Sequence, residues 1–187
     1  MIVYIHGFNS SPASHKSQQL RARLAALGRE GEFACPALPY QPRAAMTLLE
    51  KQLSGVAHDD VTLVGSSLGG FYATCLGEKF GMRAVLVNPA ITPHAGLRSY
   101  LGPQKNLYTG EEYVLTEEHL AQLGELYVAR LEHLQKYLLM HTTGDELLDW
   151  GVAVEHYAGC RQIIVQGSDH GFREFGDYLD IVLAFSA

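Results

Sequence analysis

Six short apolar runs punctuate the chain, at about residues 2–6, 33–38, 61–66, 83–88, 137–142 and 161–166. Their apolarity is continuous rather than alternating, as in strands covered on both faces, and each is strand-length rather than helix-length. Between them apolar residues recur at helical spacing. Leu20, Leu24 and Leu27 predict a helix from about Ser14 to Leu27, with Gly28 as its stop signal. Met46, Leu49, Leu53 and Val56 predict a second after Pro42, and Leu68, Phe71, Tyr72, Cys75 and Leu76 form the stripe of a third. Another falls near 150–158, and the last carries Phe172, Phe175, Leu179 and Val182. Strands alternating with amphipathic helices predict an α/β fold, a doubly wound and mostly parallel six-stranded sheet with helices on both faces.

Residues 92–135 break this rhythm. They contain Gly96, Gly102, Pro103, Gly110 and a helical patch from Thr116 to about Leu134, with Gly124 inside it. A connection this long is not a simple crossover. It reads as a helical cap inserted over the carboxyl edge of the sheet. With no internal repeat, low-complexity tract or linker, residues 1–187 read as a single domain, long enough for one sizeable core.

Candidate chemistry is concentrated at the ends of the expected strands. Val61–Val64 runs into Gly65-Ser66-Ser67-Leu68-Gly69, a G-x-S-x-G pattern centred on Ser67 with a strand before it and a helix after it. In that context the pattern is a nucleophile elbow, a sharp turn that leaves the serine hydroxyl exposed. A serine needs a base within hydrogen-bond reach, and the base needs an acid to orient it. Asp145 follows the fifth strand and His170 follows the sixth, giving the chain order Ser, Asp, His expected of an α/β-hydrolase. The backbone amides of Leu68 and Phe8 are the expected oxyanion donors, with Gly7 allowing close approach and His6 bracing the loop. Ser66 is off-centre in the motif, Asp149 suits a helix cap before Trp150, and Asp169 reads as a turn residue. Candidate substrate contacts are His6, Asn9, Ile91, Tyr108 and Tyr113. The cap tyrosines are equally suited to packing the cap onto the body.

Composition narrows the partners. The formal net charge is −6, and no Lys/Arg cluster offers a phosphate footprint, which argues against nucleic acid. No apolar run approaches the roughly 20 residues of a membrane span. The N-terminus reads as a strand rather than a signal peptide. Cys35, Cys75 and Cys160 are odd in number and widely spaced, so neither a disulfide framework nor a zinc site is expected. The remaining histidines show no metal-ligand spacing. A cytoplasmic protein without a metal site is the expectation, and a serine nucleophile beside an oxyanion hole suits a small-molecule ester or thioester; oligomeric state is not set by the sequence.

The motifs I-H-G-F-N-S-S-P, G-S-S-L-G-G-F-Y-A-T, V-N-P-A, T-G-D-E-L-L-D and G-S-D-H-G-F together resemble the YqiA-type small esterases, mostly bacterial α/β-hydrolases, over essentially the whole chain. The resemblance implies a minimal α/β-hydrolase fold beginning at the third strand of the full-length fold. It also implies carboxylester hydrolysis without a cofactor, with Ser67 as nucleophile, Asp145 as acid and His170 as base. Acyl thioesterase or acyltransferase chemistry would use the same residues. A binding protein of hydrolase-like fold is the alternative of a different class.

Overall fold

The computed structural model describes residues 1–186. Its strands are β1 (Ile2–Ile5), β2 (Phe33–Ala34), β3 (Thr62–Ser66), β4 (Arg83–Val87), β5 (Gly102–Lys105), β6 (Glu112–Leu115), β7 (Tyr137–Thr142) and β8 (Arg161–Val165). Its α-helices are α1 (His15–Ala26), α2 (Pro42–Leu53), α3 (Leu68–Phe80), α4 (Pro93–Gly96), α5 (Glu117–Glu125), α6 (Trp150–His156) and α7 (Leu179–Phe185). Six strands form one sheet in the order β2-β1-β3-β4-β7-β8, and every pairing in it is parallel. The chain leaves β1 for β2 on one side and returns to β3 on the other. The switch point therefore lies between β1 and β3, where an open α/β sheet builds its site.

The continuous apolarity of the strands follows from burial on two faces. Val3, Ile5 and Leu63 point into one layer with Met46 and Leu49 of α2, Phe71 and Leu76 of α3, and Ala153 of α6. Ile2, Tyr4, Val64 and Val85 point into the other with Leu20 and Leu24 of α1 and Val182 and Leu183 of α7. The β2 strand is only two residues long, shorter than the apolar run at 33–38 suggests. Pro36 has no N–H for a ladder and Pro39 follows it, so pairing stops at the sheet edge. The single final helix expected from Phe172 onward is instead a 3₁₀ turn at Arg173–Tyr178 followed by α7, because Phe172 sits in the left-handed region at φ 52°. The apolar spacing survives the change, since Phe172, Phe175, Leu179 and Val182 are all buried.

The insertion is less helical than its sequence suggests. After α4 and a 3₁₀ turn, β5 and β6 pair as an antiparallel hairpin across an Asn106–Gly110 turn. Only then comes α5, which ends at Glu125 rather than near Leu134. Thr116 caps α5 reciprocally with His119, which accounts for that histidine. Leu120 and Leu123 fix α5 against the body. Among the described residues no helix is long and apolar enough to cross a membrane.

At the β3–α3 turn Ser67 is held at φ 55° and ψ −122°. Its N–H donates to Val87 O at 3.0 Å and its carbonyl accepts from Ala90 N at 3.1 Å, so neighbouring β4 fixes the turn from both sides. Gly69 is forced by contact: a Cβ there would lie 1.9 Å from the Ile5 carbonyl oxygen. Backbone cannot yield as a flexible side chain can. Gly69→Ala is expected to remove more than about 4 kcal/mol of stability, or the folded state altogether. Gly96→Ala is the control, because its Cβ would meet nothing within 4 Å and its φ of −63° is helical. It is expected to be neutral or stabilising by up to about 1 kcal/mol. Urea unfolding of both variants checks the contrast.

Candidate active site

Ser67, His170 and Asp145 come together above the carboxyl ends of β3, β8 and β7. The Ser67 Oγ stands 3.0 Å from His170 Nε2, and His170 Nδ1 stands 2.8 Å from Asp145 Oδ2. An ionised carboxylate can only accept, so Nδ1 carries the ring proton and Nε2 is left as the acceptor for the serine hydroxyl. The Asp145 side chain is fully buried, while that of His170 is 20% exposed. Burial alone would raise the Asp145 pKa. The hydrogen bond and charge of His170, with the Leu147 and Leu148 amides, outweigh burial and hold it below the usual carboxylate range. Both amides donate to Oδ1 at 2.9 Å, leaving Oδ2 for the imidazole. Asp149 instead caps α6, accepting from Gly151 N at 2.8 Å.

The β1–α1 loop lies directly against the serine. A Cβ on Gly7 would fall 3.1 Å from both Ser67 Cβ and Ser66 O, so a side chain there would crowd the serine. Phe8 follows, and its amide and that of Leu68 are taken up by no turn, loop or side-chain hydrogen bond among the described residues. His6 braces the loop from beneath. Its Nδ1 meets Gly7 O at 3.1 Å and its Nε2 accepts from Leu38 N at 3.1 Å. With both ring nitrogens engaged, His6 is a strut that borders the site rather than a free ligand group.

A cleft of about 420 Å³ opens from Phe8 and Leu68 toward the cap, with Tyr40, Tyr72, Asn106 and Tyr113 among its walls. Asn9 and Tyr113 line it, and they are bonded to each other: the Tyr113 hydroxyl donates to Asn9 Oδ1 at 2.6 Å. The other two candidate contacts lie elsewhere. Ile91 lines a smaller pocket of about 190 Å³ with Phe71, Cys75, Tyr127 and His156. Tyr108 is 51% exposed on the hairpin turn and does not line the cleft.

The structure also shows supports that sequence reasoning passed over. Asn88, fully buried at φ 43°, follows β4. Its Nδ2 donates to the carbonyls of Asp169 and His170 and to Thr142 Oγ1, and its Oδ1 accepts from Thr142 N. One side chain thus ties the histidine loop to the acid strand. Glu146 accepts from His170 N at 2.9 Å, and Lys16 of α1 reaches Gly171 O at 2.7 Å. Burial pushes the Lys16 pKa down to about 8, against the pull of Asp169 and Asp145. A polar residue between a buried strand and a proline, as in Val87-Asn88-Pro89, was the available signal for Asn88. Lys16 and Glu146 look like ordinary surface charges in the sequence. Cys75 is a core thiol, pushed up to about 12 by burial.

The whole chain, residues 1–187, matches the uncharacterised protein family UPF0227, and it belongs to that family. A UPF0227 protein of Pectobacterium carotovorum is 26% identical over 191 residues, covering 99% of this chain and 98% of its own. One from Shewanella woodyi is 28% identical over 94 residues, a match spanning 50% of this chain and 52% of that protein. Among solved structures, mouse alpha/beta hydrolase domain-containing protein 10 superposes with a TM-score of 0.75 at 14% identity, covering 98% of this chain and 87% of the other. Est1E from Butyrivibrio proteoclasticus gives 0.65 at 16%, covering 99% and 84%. At these identities the superpositions show the fold, which is that of the α/β-hydrolases.

Two expectations follow from the buried polar groups. Asn88→Ala strands the Thr142 N–H and the His170 carbonyl, so it is expected to cost about 2–4 kcal/mol in urea unfolding, since each orphaned buried group costs about 1–3 kcal/mol. His6 and fully buried His141 have pKa values lowered by burial from the ordinary 6.5. The folded protein therefore binds fewer protons than the unfolded chain, and their stabilising contribution, complete above about pH 6.5, is lost as pH falls through the lowered values. The melting temperature should drop between pH 7 and pH 5, and His141→Leu should shrink that drop.

Proposed function

We propose that this UPF0227 protein is a serine esterase that hydrolyses carboxylic esters of small acyl groups. The observation that carries this reading is the continuous hydrogen-bonded line from Asp145 through His170 to Ser67, with the serine on a strained turn beside two uncommitted amides. Est1E, of the same fold, has been solved with ferulic acid bound, and a Rhodothermus marinus protein of this fold is described as an esterase domain. Both fit a hydrolytic use of this site.

The steps follow from the geometry. As Ser67 Oγ bonds to the acyl carbon, its proton passes to His170 Nε2. The charge that builds on the carbonyl oxygen is met by the Phe8 and Leu68 N–H groups. Each such preorganised donor is worth on the order of 10²–10³ in turnover. The protonated imidazole then gives its proton to the departing alcohol, leaving the acyl group on Ser67. Water, deprotonated by the same nitrogen, attacks that acyl carbon and restores the serine. Asp145, held ionised, keeps the Nδ1 proton in place and stabilises the imidazolium. No step requires a metal or cofactor. A thioester would react through the same residues, and a matched thioester–oxyester pair ranks the two leaving groups.

Intact-mass analysis after fluorophosphonate treatment is the direct check. One adduct is expected on the wild type and none on Ser67→Ala, and an unlabelled wild type would overturn the reading. Asp145→Asn should fold but lose about 10⁴-fold in kcat, the loss known for the same change in a Ser-His-Asp site. His170→Ala should lose turnover about as completely as Ser67→Ala, because the two act as one unit. Full turnover in that variant would remove His170 from the role of base.

A further inference from the structure

The Tyr72 hydroxyl is out of place for a buried tyrosine. The other deeply buried tyrosines of this face have partners: Tyr137 donates to Glu78 at 2.8 Å, and Tyr157 meets Thr74 Oγ1 at 2.7 Å. Buried tyrosine hydroxyls usually do. Tyr72 is only 3% exposed, yet its hydroxyl makes no hydrogen bond to any described residue. Nor is its oxygen among the sealed, unpartnered polar atoms, so it keeps access to open space. The space that Tyr72 lines is the cleft running from Phe8 and Leu68 to the cap.

The position of that cleft fixes which half of the ester it holds. Neither Ser67 nor His170 lines the cleft, which starts at Phe8 and Leu68 beside the serine, and the leaving alcohol must lie next to His170, which protonates it. The acyl substituent therefore points the other way, past the two oxyanion amides and into the cleft. Leu68 and Tyr72 are four residues apart on α3, so they share one face. Helical side chains lean toward the helix N-terminus, which carries the Tyr72 ring back over the turn that holds Leu68. A donor thus stands on the wall of the cleft, one helical turn along α3 from the Leu68 amide. The stacked rings of Tyr40 and Tyr113, 4.2 Å apart, wall the cleft toward the cap.

We propose that this cleft is the acyl-binding pocket and that the Tyr72 hydroxyl donates to an oxygen on the acyl group. The enzyme is then selective for short oxygenated acyl groups, hydroxyacyl or alkoxyacyl, over plain alkyl chains of the same length. An alkyl chain would leave the buried hydroxyl unpaired in the complex, and a site built to bond an oxygen discriminates against the analogue that lacks it. The proposal rests on the esterase reading and adds the substrate class to it.

The test uses three isosteric pairs of p-nitrophenyl esters: methoxyacetate with butanoate, 3-methoxypropanoate with pentanoate, and 4-methoxybutanoate with hexanoate. An ether oxygen only accepts, so it isolates donation from Tyr72. For each pair the ratio of kcat/KM, oxygenated over alkyl, is measured in the wild type and in Tyr72→Phe, which cancels intrinsic reactivity. In at least one pair the ratio is expected to fall by about threefold to tenfold in Tyr72→Phe, the worth of one neutral hydrogen bond. The melting temperature of Tyr72→Phe without ligand should equal or exceed that of the wild type, because no bond within the protein is lost. Ratios unchanged in all three pairs would overturn the proposal while leaving the esterase reading intact. A lowered melting temperature would overturn it too, by showing that the hydroxyl is partnered inside the fold. Absence of any Ser67-dependent turnover of these esters would instead remove the esterase reading, and the acyl pocket with it.

Discussion

Where the first turn of α3 crosses the end of β1, two backbones meet with no side chain between them. A Cβ on Gly69 would come 1.9 Å from the Ile5 carbonyl, and one on Gly65 would come 2.3 Å from the Gly69 carbonyl. The helix can start this close to the sheet only because both positions lack a side chain. That proximity forces the turn between them, and Ser67 takes the positive φ that results. Strain of this kind costs on the order of 1–3 kcal/mol and persists only where the surroundings over-determine it. Here they do: Val87 O and Ala90 N hold the two ends of the Ser67 residue, and the loop after β1 packs so close that a Cβ on Gly7 would lie 3.1 Å from the Ser67 Cβ. The same contact brings the Phe8 loop to the serine, so placement of Ser67 and placement of the Phe8 amide are one event.

The other half of the site hangs from β4. That strand pairs with β3, which runs into the Ser67 turn, and with β7, which runs into the Asp145 loop. A group at its end can touch everything that matters, and Asn88 is that group. A buried amide has two donors and an acceptor to satisfy, and Thr142 with the Asp169 and His170 carbonyls satisfies them. The requirement works in both directions. Leaving the Asn88 amide unpaired would cost stability, so the amide holds the histidine loop where its carbonyls can be reached. Loops build this site, but a buried polar network makes their geometry almost as rigid as that of the sheet.

The sheet was legible because its strands are buried on both faces, which makes each of them a continuous apolar run; Tyr137–Thr142 coincides with its run, and the other long strands agree to within a residue or so at each end. The three residues of the hydrogen-bonded line were legible because the elbow has a local signature and because strand ends are where such sites form. The β5–β6 hairpin was not. Its strands are four residues each in a segment rich in Gly and Pro, and the helical periodicity of the residues that follow Thr116 masked them. Asn88 was invisible for a different reason: its role lies in contacts with residues 54 to 82 positions away. Tyr72 was absorbed into the apolar stripe of α3, as its ring deserves. Only the structure shows that its hydroxyl has no partner.

The hairpin that the sequence concealed is fastened to the site at one place. Asn9, at φ 50° just after Phe8, accepts from the Tyr113 hydroxyl and donates to Gln104, and its carbonyl accepts from Leu107 N. Asn106 adds a bond to the Ser10 carbonyl. Taken at about 1 kcal/mol net apiece, these four bonds oppose lifting of the hairpin by about 4 kcal/mol. On that scale a lifted hairpin is populated at about one part in 10³. The hairpin is therefore better described as a wall than as a freely swinging gate. It also follows that the cleft and the Phe8 amide are not independent. The groups that close the cleft on the cap side are bonded to Asn9, the residue next to Phe8, so a change that reshapes the cleft through Tyr113 or Gln104 also shifts the Phe8 amide.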